Sequence, residues 1–134
     1  MAPSLSSLYI LSLLSLILSP LVSAKVVTYD FNATWVRANP DGQFERATIG
    51  INNQWPLPII TAEVGDTVIV NLENGLGNAT TSLHFHGLYQ NGTTEMDGTI
   101  GVSQCGIVPG STFTYKFTVS SRLPNITPLV TDTM

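Results

Sequence analysis

Apolar and polar positions alternate with a period of two along much of this chain, and turn residues divide the alternating runs into short pieces. Val26-Val27-Thr28-Tyr29-Asp30-Phe31 alternates and is rich in β-forming residues. Asn39-Pro40-Asp41-Gly42 is a strong turn, and Arg46 to Ile51 is the next candidate strand. Trp55-Pro56-Leu57-Pro58 is excluded as a central strand, because neither proline donates to a ladder. Thr67 to Leu72 alternates with Val68, Val70 and Leu72 on one face, and Glu73 to Asn78 reads as a loop. Ser82 to His86 is a further strand, and Thr112 to Val119 sets Phe113, Tyr115, Phe117 and Val119 on one side. No amphipathic helical stretch competes. The spacing predicts an all-β sandwich or barrel of the Greek-key kind over residues 25–119, with no helix longer than a turn or two.

The two ends break this pattern. Leu8 to Leu18 is apolar and uncharged, Pro20 interrupts it, and Val22-Ser23-Ala24 places small or slim residues before a cut. That layout predicts a secretory signal peptide over residues 1–24 and a mature chain starting near Lys25. The run is too short and too serine-rich for a membrane-spanning helix of about 20 apolar residues. From Ser120 to Met134 the period is lost and two prolines appear, which predicts a loop or disordered tail over 120–134.

About 110 residues remain after the leader, enough for one domain with one core. The net charge of −4 and the absence of any Lys/Arg cluster exclude phosphate-driven nucleic-acid binding. Four sequons, at Asn32, Asn78, Asn91 and Asn125, follow the leader and point to glycosylation on a eukaryotic secretory route, with an extracellular or cell-surface destination. The single cysteine, Cys105, is either a buried inert thiol or an unpaired one available to a partner elsewhere.

The chain has two histidines, His84 and His86. Two apart on a strand, they share a face with Cα atoms roughly 6.5–7 Å apart, while Phe85 points into the core as a peg. Paired neutral imidazoles suit copper, zinc or nickel, yet two ligands make half a site at best, and a His-x-His pair taken alone is more often two half-exposed histidines.

The surrounding residues extend the pattern. His84-Phe85-His86-Gly87-Leu88-Tyr89-Gln90-Asn91-Gly92-Thr93-Thr94-Glu95-Met96-Asp97-Gly98 closely resembles the first copper motif of multicopper oxidases. Gly101 to Gly110, Asn52 to Ile60 and Glu63 to Val68 continue the likeness in order and spacing, so that it runs from about Tyr29 to Val119. The wording Leu88-Tyr89-Gln90-Asn91-Gly92-Thr93 and Glu95-Met96-Asp97-Gly98 looks most like fungal ferroxidases of iron uptake, with laccases next. The resemblance implies a cupredoxin (plastocyanin-like) domain with copper as cofactor, His84 as a type 2 copper ligand and His86 as a type 3 ligand. It further implies that Asp97 assists proton delivery near a trinuclear cluster, and that Cys105 corresponds to a cysteine that bridges to a distant part of a longer chain. From the residues alone, Asp97 reads as a turn aspartate before Gly98, and Glu95 as a solvated loop residue. The parent reaction implied is oxidation of ferrous iron or a phenol coupled to reduction of dioxygen to water, with an iron permease as partner in full-length relatives.

The sequence also departs from that family. A second histidine pair is expected some forty residues after the first, within wording like Gly-Thr-Tyr-Trp-Tyr-His-Ser-His, but no histidine follows His86. The two further cupredoxin domains and the type 1 copper ligands have no counterpart. The expectation is a fragment, short isoform or mis-spliced reading that is inactive alone; the alternative is a non-enzymatic copper-binding or interaction domain of cupredoxin shape.

Overall fold

The alternating segments become strands. The computed structural model describes residues 23–120 and, as backbone, 129–133. In chain order they form β1 (Val26–Ala38), β2 (Arg46–Ile51), β3 (Thr67–Asn74), β4 (Thr80–His84), β5 (Thr112–Thr118) and β6 (Leu129–Thr133). The one helical element among the described residues is a 3₁₀ turn, Thr94–Met96. The leader reading and the Asn125 sequon lie outside the described residues, apart from Ser23 and Ala24.

The larger sheet has the order β2-β1-β3-β5. β1 runs parallel to β3 from Val26 to Ala33 and antiparallel to β2 from Ala33 to Ala38, so one long strand serves two partners. Asn52 and Asn53, with φ of 53° and 62°, turn the chain after β2; asparagine tolerates this left-handed region better than other side-chain-bearing residues. β5 pairs antiparallel with β3 and sets Phe117 opposite Val68 and Tyr115 opposite Val70.

The core is the one that the alternation predicts. Val68, Val70, Leu72, Phe85, Tyr115, Phe117 and Val119 are buried, Phe113 is half-buried against them, and Phe31, Ile51, Ile60 and Leu83 complete the cluster. Phe85 lies edge-on to Tyr115 and Phe117 at centroid distances of 5.3 and 4.7 Å, an arrangement that suits the ring quadrupoles. These contacts fasten β4, which belongs to a separate two-stranded sheet with β6, onto β5.

Several sequence expectations change: β1 runs on to Ala38, beyond the expected Phe31, and β3 takes in Glu73 and Asn74 from the expected loop. The strand expected over Ser82–His86 covers Thr80–His84 instead. The Phe85 amide donates to the Asp97 carbonyl rather than to a ladder, and Gly87, at φ 81°, carries the turn that follows. The tail expected to be irregular from Ser120 contains β6, paired antiparallel with β4 from Thr80↔Thr133 to His84↔Leu129. β4 turns buried side chains into the core, so its remaining edge offers backbone donors and acceptors, and Leu-Val-Thr-Asp-Thr has the β-branched content to pair with it.

Candidate metal centre

β4 ends at His84, and the 3₁₀ turn Thr94–Met96 brings Asp97 back beside it. The return is tight: the Ser82 hydroxyl donates to the Gly98 carbonyl, and a Cβ on Gly98 would overlap the Leu83 carbonyl. Gly98 also has φ of 82°, so close approach and backbone conformation both require glycine here. On the other side of β4 the Leu83 amide donates to the buried Tyr115 hydroxyl at 3.0 Å. Burial raises the Tyr115 pKa, which keeps that hydroxyl neutral.

His84 Nδ1 lies 2.8 Å from the Asp97 backbone carbonyl. A carbonyl only accepts, so Nδ1 carries the proton and Nε2 keeps its lone pair for a metal. The Asp97 carboxylate lies 3.4 Å from the same Nδ1 and accepts from the Thr99 hydroxyl at 3.3 Å. The His86 ring meets the His84 ring edge-on with centroids 5.6 Å apart, and it is the more exposed of the two. The shared face that the i, i+2 spacing predicts is therefore present, even though His86 has left the strand. Phe85 points the opposite way, into the core.

An open depression of about 530 Å³ adjoins this corner, with Asp97, Glu95, Thr99, Ser103 and Tyr89 among its walls. Glu95 is exposed, as a solvated loop residue should be. Thr99, Ser103 and the Tyr115 hydroxyl hold the corner together, and sequence reasoning did not find them; the only signal was their place inside or opposite the motif. Cys105 is exposed and free, which excludes the buried, inert alternative. Asn78 and Asn91 are exposed, whereas Asn32 is half-buried in β1.

The donor set suits copper as far as it goes: two imidazoles, one with its Nε2 lone pair left available because Nδ1–H is taken by a backbone carbonyl. Among the described residues no group of three or more His, Cys, Asp or Glu side chains gathers around a metal position. The described residues therefore fit copper as two of its ligands.

Residues 32–123 match the multicopper oxidase family. The chain belongs to it. It is 61% identical over 99 residues to the iron transport multicopper oxidase fetC of Epichloe festucae, covering 74% of this chain and 16% of that protein. It is 60% identical over 106 residues to the iron transport multicopper oxidase FET3 of Gibberella zeae, covering 79% and 17%. Laccase-2 of Cryptococcus neoformans var. grubii is 52% identical over 94 residues, covering 70% and 16%. Among solved structures, Fet3p, a multicopper oxidase that functions in iron import, superposes with a TM-score of 0.64 at 48% identity, covering 70% of this chain and 18% of that one. The laccase of Botrytis aclada gives 0.66 at 39%, covering 72% and 18%. The cupredoxin-like fold and the copper dependence of the family stand on this likeness. The chain spans less than a fifth of the length of these relatives.

Proposed function

We propose that this chain is the N-terminal copper-binding domain of an iron-transport-type multicopper oxidase, with His84 as a type 2 ligand and His86 as a type 3 ligand. The observation that carries the reading is the His84 tautomer: the Asp97 carbonyl takes Nδ1–H and leaves Nε2 with its lone pair, on a ring 5.6 Å from that of His86. Ferrous iron is the preferred substrate class of the whole oxidase, because the iron-transport relatives at 60–61% identity exceed the laccase at 52%. Copper, when bound, supplies the electron transfer and the reduction of dioxygen. This chain's own residues orient two imidazoles, hold the His84 proton at Nδ1 and place the Asp97 carboxylate at the edge of an open depression, where it can pass protons. A permease partner belongs to the same proposal for the complete oxidase.

With two ligands and no third among the described residues, the 134-residue chain binds copper weakly and does not turn over. Entry to the secretory pathway through the leader at residues 1–24, export to the surface or exterior, and glycosylation at the sequons complete the reading. The test is copper titration followed by oxygen uptake with ferrous iron or a phenol, comparing the chain with His84→Ala. Histidine-dependent stoichiometric copper binding without catalytic uptake is expected. Copper binding that survives His84→Ala and His86→Ala together would defeat the ligand assignment.

A further inference from the structure

The nitrogen of Lys25 meets a carboxylate that water barely touches. Asp66 is 2% exposed. Its Oδ1 accepts from the Lys25 backbone nitrogen at 3.0 Å and its Oδ2 from the Glu63 amide at 2.9 Å. Lys25 is pinned from its other side as well, since the Thr67 amide donates to its carbonyl at 2.9 Å. The Glu63 and Lys25 donors hold the Asp66 carboxyl below the ordinary 3.8, so it is ionised at neutral pH. A negative charge therefore sits where little of the residue meets water. The Lys25 ammonium forms an ion pair with Oδ2 at 3.7 Å from a side chain 58% exposed, and it too favours the ionised carboxyl. The other groups bonded to Asp66 are Glu63, exposed, in the loop before β3, and Val119 after β5, whose amide donates to the Asp66 main-chain carbonyl. Burying an ion is costly unless countercharge and hydrogen bonds offset it; the Lys25 ammonium gives a longer-range countercharge, while the backbone nitrogen at hydrogen-bond distance from Oδ1 is a neutral amide as long as the chain continues into Ala24.

We propose that the bond between Ala24 and Lys25 is a proteolytic maturation site, and that the α-ammonium so produced is bound by the Asp66 carboxylate. Hydrolysis adds water across the peptide bond: the carboxyl group leaves on Ala24, and the nitrogen on Lys25 takes up protons to become the ammonium. The nitrogen is already at hydrogen-bond distance from Oδ1, so maturation adds a charge without moving the chain. Ser23 and Ala24 are exposed and in no strand, so a leader-removing peptidase has access to the bond. A hydrogen bond assisted by the carboxylate's charge alone becomes one between two opposite charges. Removal of the leader then locks the start of β1 against β3. The inference rests on the secretory reading above.

The lock depends on pH. A paired α-ammonium has its pKa raised above the ordinary range of about 7.7–8.0. Its contribution to stability is fully present below that range and is lost as pH rises through the folded value.

The test starts with the intact mass and N-terminal sequence of the chain made in a secreting eukaryotic host. Its α-amine is then titrated by NMR, and its thermal midpoint is compared with that of the same chain extended by Ser23-Ala24. The expected N-terminus is Lys25. Its amine should titrate about one unit or more above the ordinary range. The extended chain should melt roughly 4–8 °C lower at pH 7, with the gap closing at high pH and in an Asp66→Asn background. The titration needs no substitution, so it stands even where Asp66→Asn fails to fold. A retained leader would defeat the secretory reading and this inference together. A start at another residue would overturn the inference alone. So would a start at Lys25 with an ordinary amine and no melting gap.

Discussion

Asp66 and Asp97 look alike in the sequence, each a turn aspartate beside a glycine, Gly65-Asp66 and Asp97-Gly98. The fold uses them in opposite ways. The Asp66 carboxylate is enclosed and both its oxygens accept backbone hydrogen bonds, so the charged group itself joins the start of β1 to the loop before β3. At Asp97 the main chain does the holding: its carbonyl takes His84 Nδ1–H and the Phe85 amide, while the carboxylate keeps 30% exposure and one hydroxyl donor. A carboxylate whose oxygens are taken by backbone amides is a structural tie. One left beside an imidazole and an open depression keeps the exposure that the proton delivery proposed above would need.

The comparison requires that the histidine corner be as firmly built as the Asp66 end, and Phe85 tests this most severely. Phe85→Ala removes a fully buried ring packed on Tyr115 and Phe117, directly between the two histidines in sequence. Destabilisation of about 3–5 kcal/mol in urea unfolding is expected. A loss under about 1 kcal/mol would mean that the corner floats over the core, since even small core truncations cost about that much.

Tyr115→Phe probes the same support with a smaller change. The ring stays, but the Leu83 amide loses its acceptor inside the core. An unsatisfied buried amide costs about 1–3 kcal/mol, and the amide proton of Leu83 should exchange faster by the corresponding factor. Unchanged exchange would show that the amide finds another partner.

The alternating strands were legible because burial on one face forces a period of two, and Val68, Val70, Leu72, Tyr115 and Phe117 obey it. The two histidines were legible as an i, i+2 pair, and their rings adjoin although His86 lies beyond the end of β4. What lay hidden depends on partners distant in sequence: Lys25 and Asp66 are 41 residues apart, and Leu83 and Tyr115 are 32 apart. No local period announces such a bond. The end of β4 was misplaced because the Asp97 carbonyl, thirteen residues beyond His84, captures the Phe85 amide. The strand in the tail was missed because its stability comes from the open edge of β4, not from an alternating face of its own.

Acid stability tests the Asp66 tie next. The Glu63 and Lys25 amides depress the Asp66 carboxyl in the folded chain. A depressed acid contributes stability that is fully present above its unfolded pKa of about 3.9 and is lost as pH falls through the lower folded value. Asp66→Asn should therefore lower stability at pH 6 and flatten the acid limb of a stability-against-pH curve below pH ~4. An unaltered acid limb would show that the carboxylate is not the group these amides stabilise.

Asp97→Asn should have the smallest effect on the fold. The substitution keeps the backbone carbonyl that fixes the His84 tautomer, and the carboxamide that replaces the carboxylate still offers an oxygen to the Thr99 hydroxyl. Urea unfolding should shift by no more than about 0.5 kcal/mol, as for surface positions whose contacts are conserved. Nitrogen-15 shifts of the imidazole should still report the proton on Nδ1, and stoichiometric copper binding should persist, because His84 and His86 are unaltered. What changes is the proton that the side chain can carry, which becomes visible only as lost oxygen uptake when the same replacement is made in a complete oxidase. If Asp97→Asn instead destabilised the chain as much as Asp66→Asn, its carboxylate would also be a structural tie, and the division between the two aspartates would collapse.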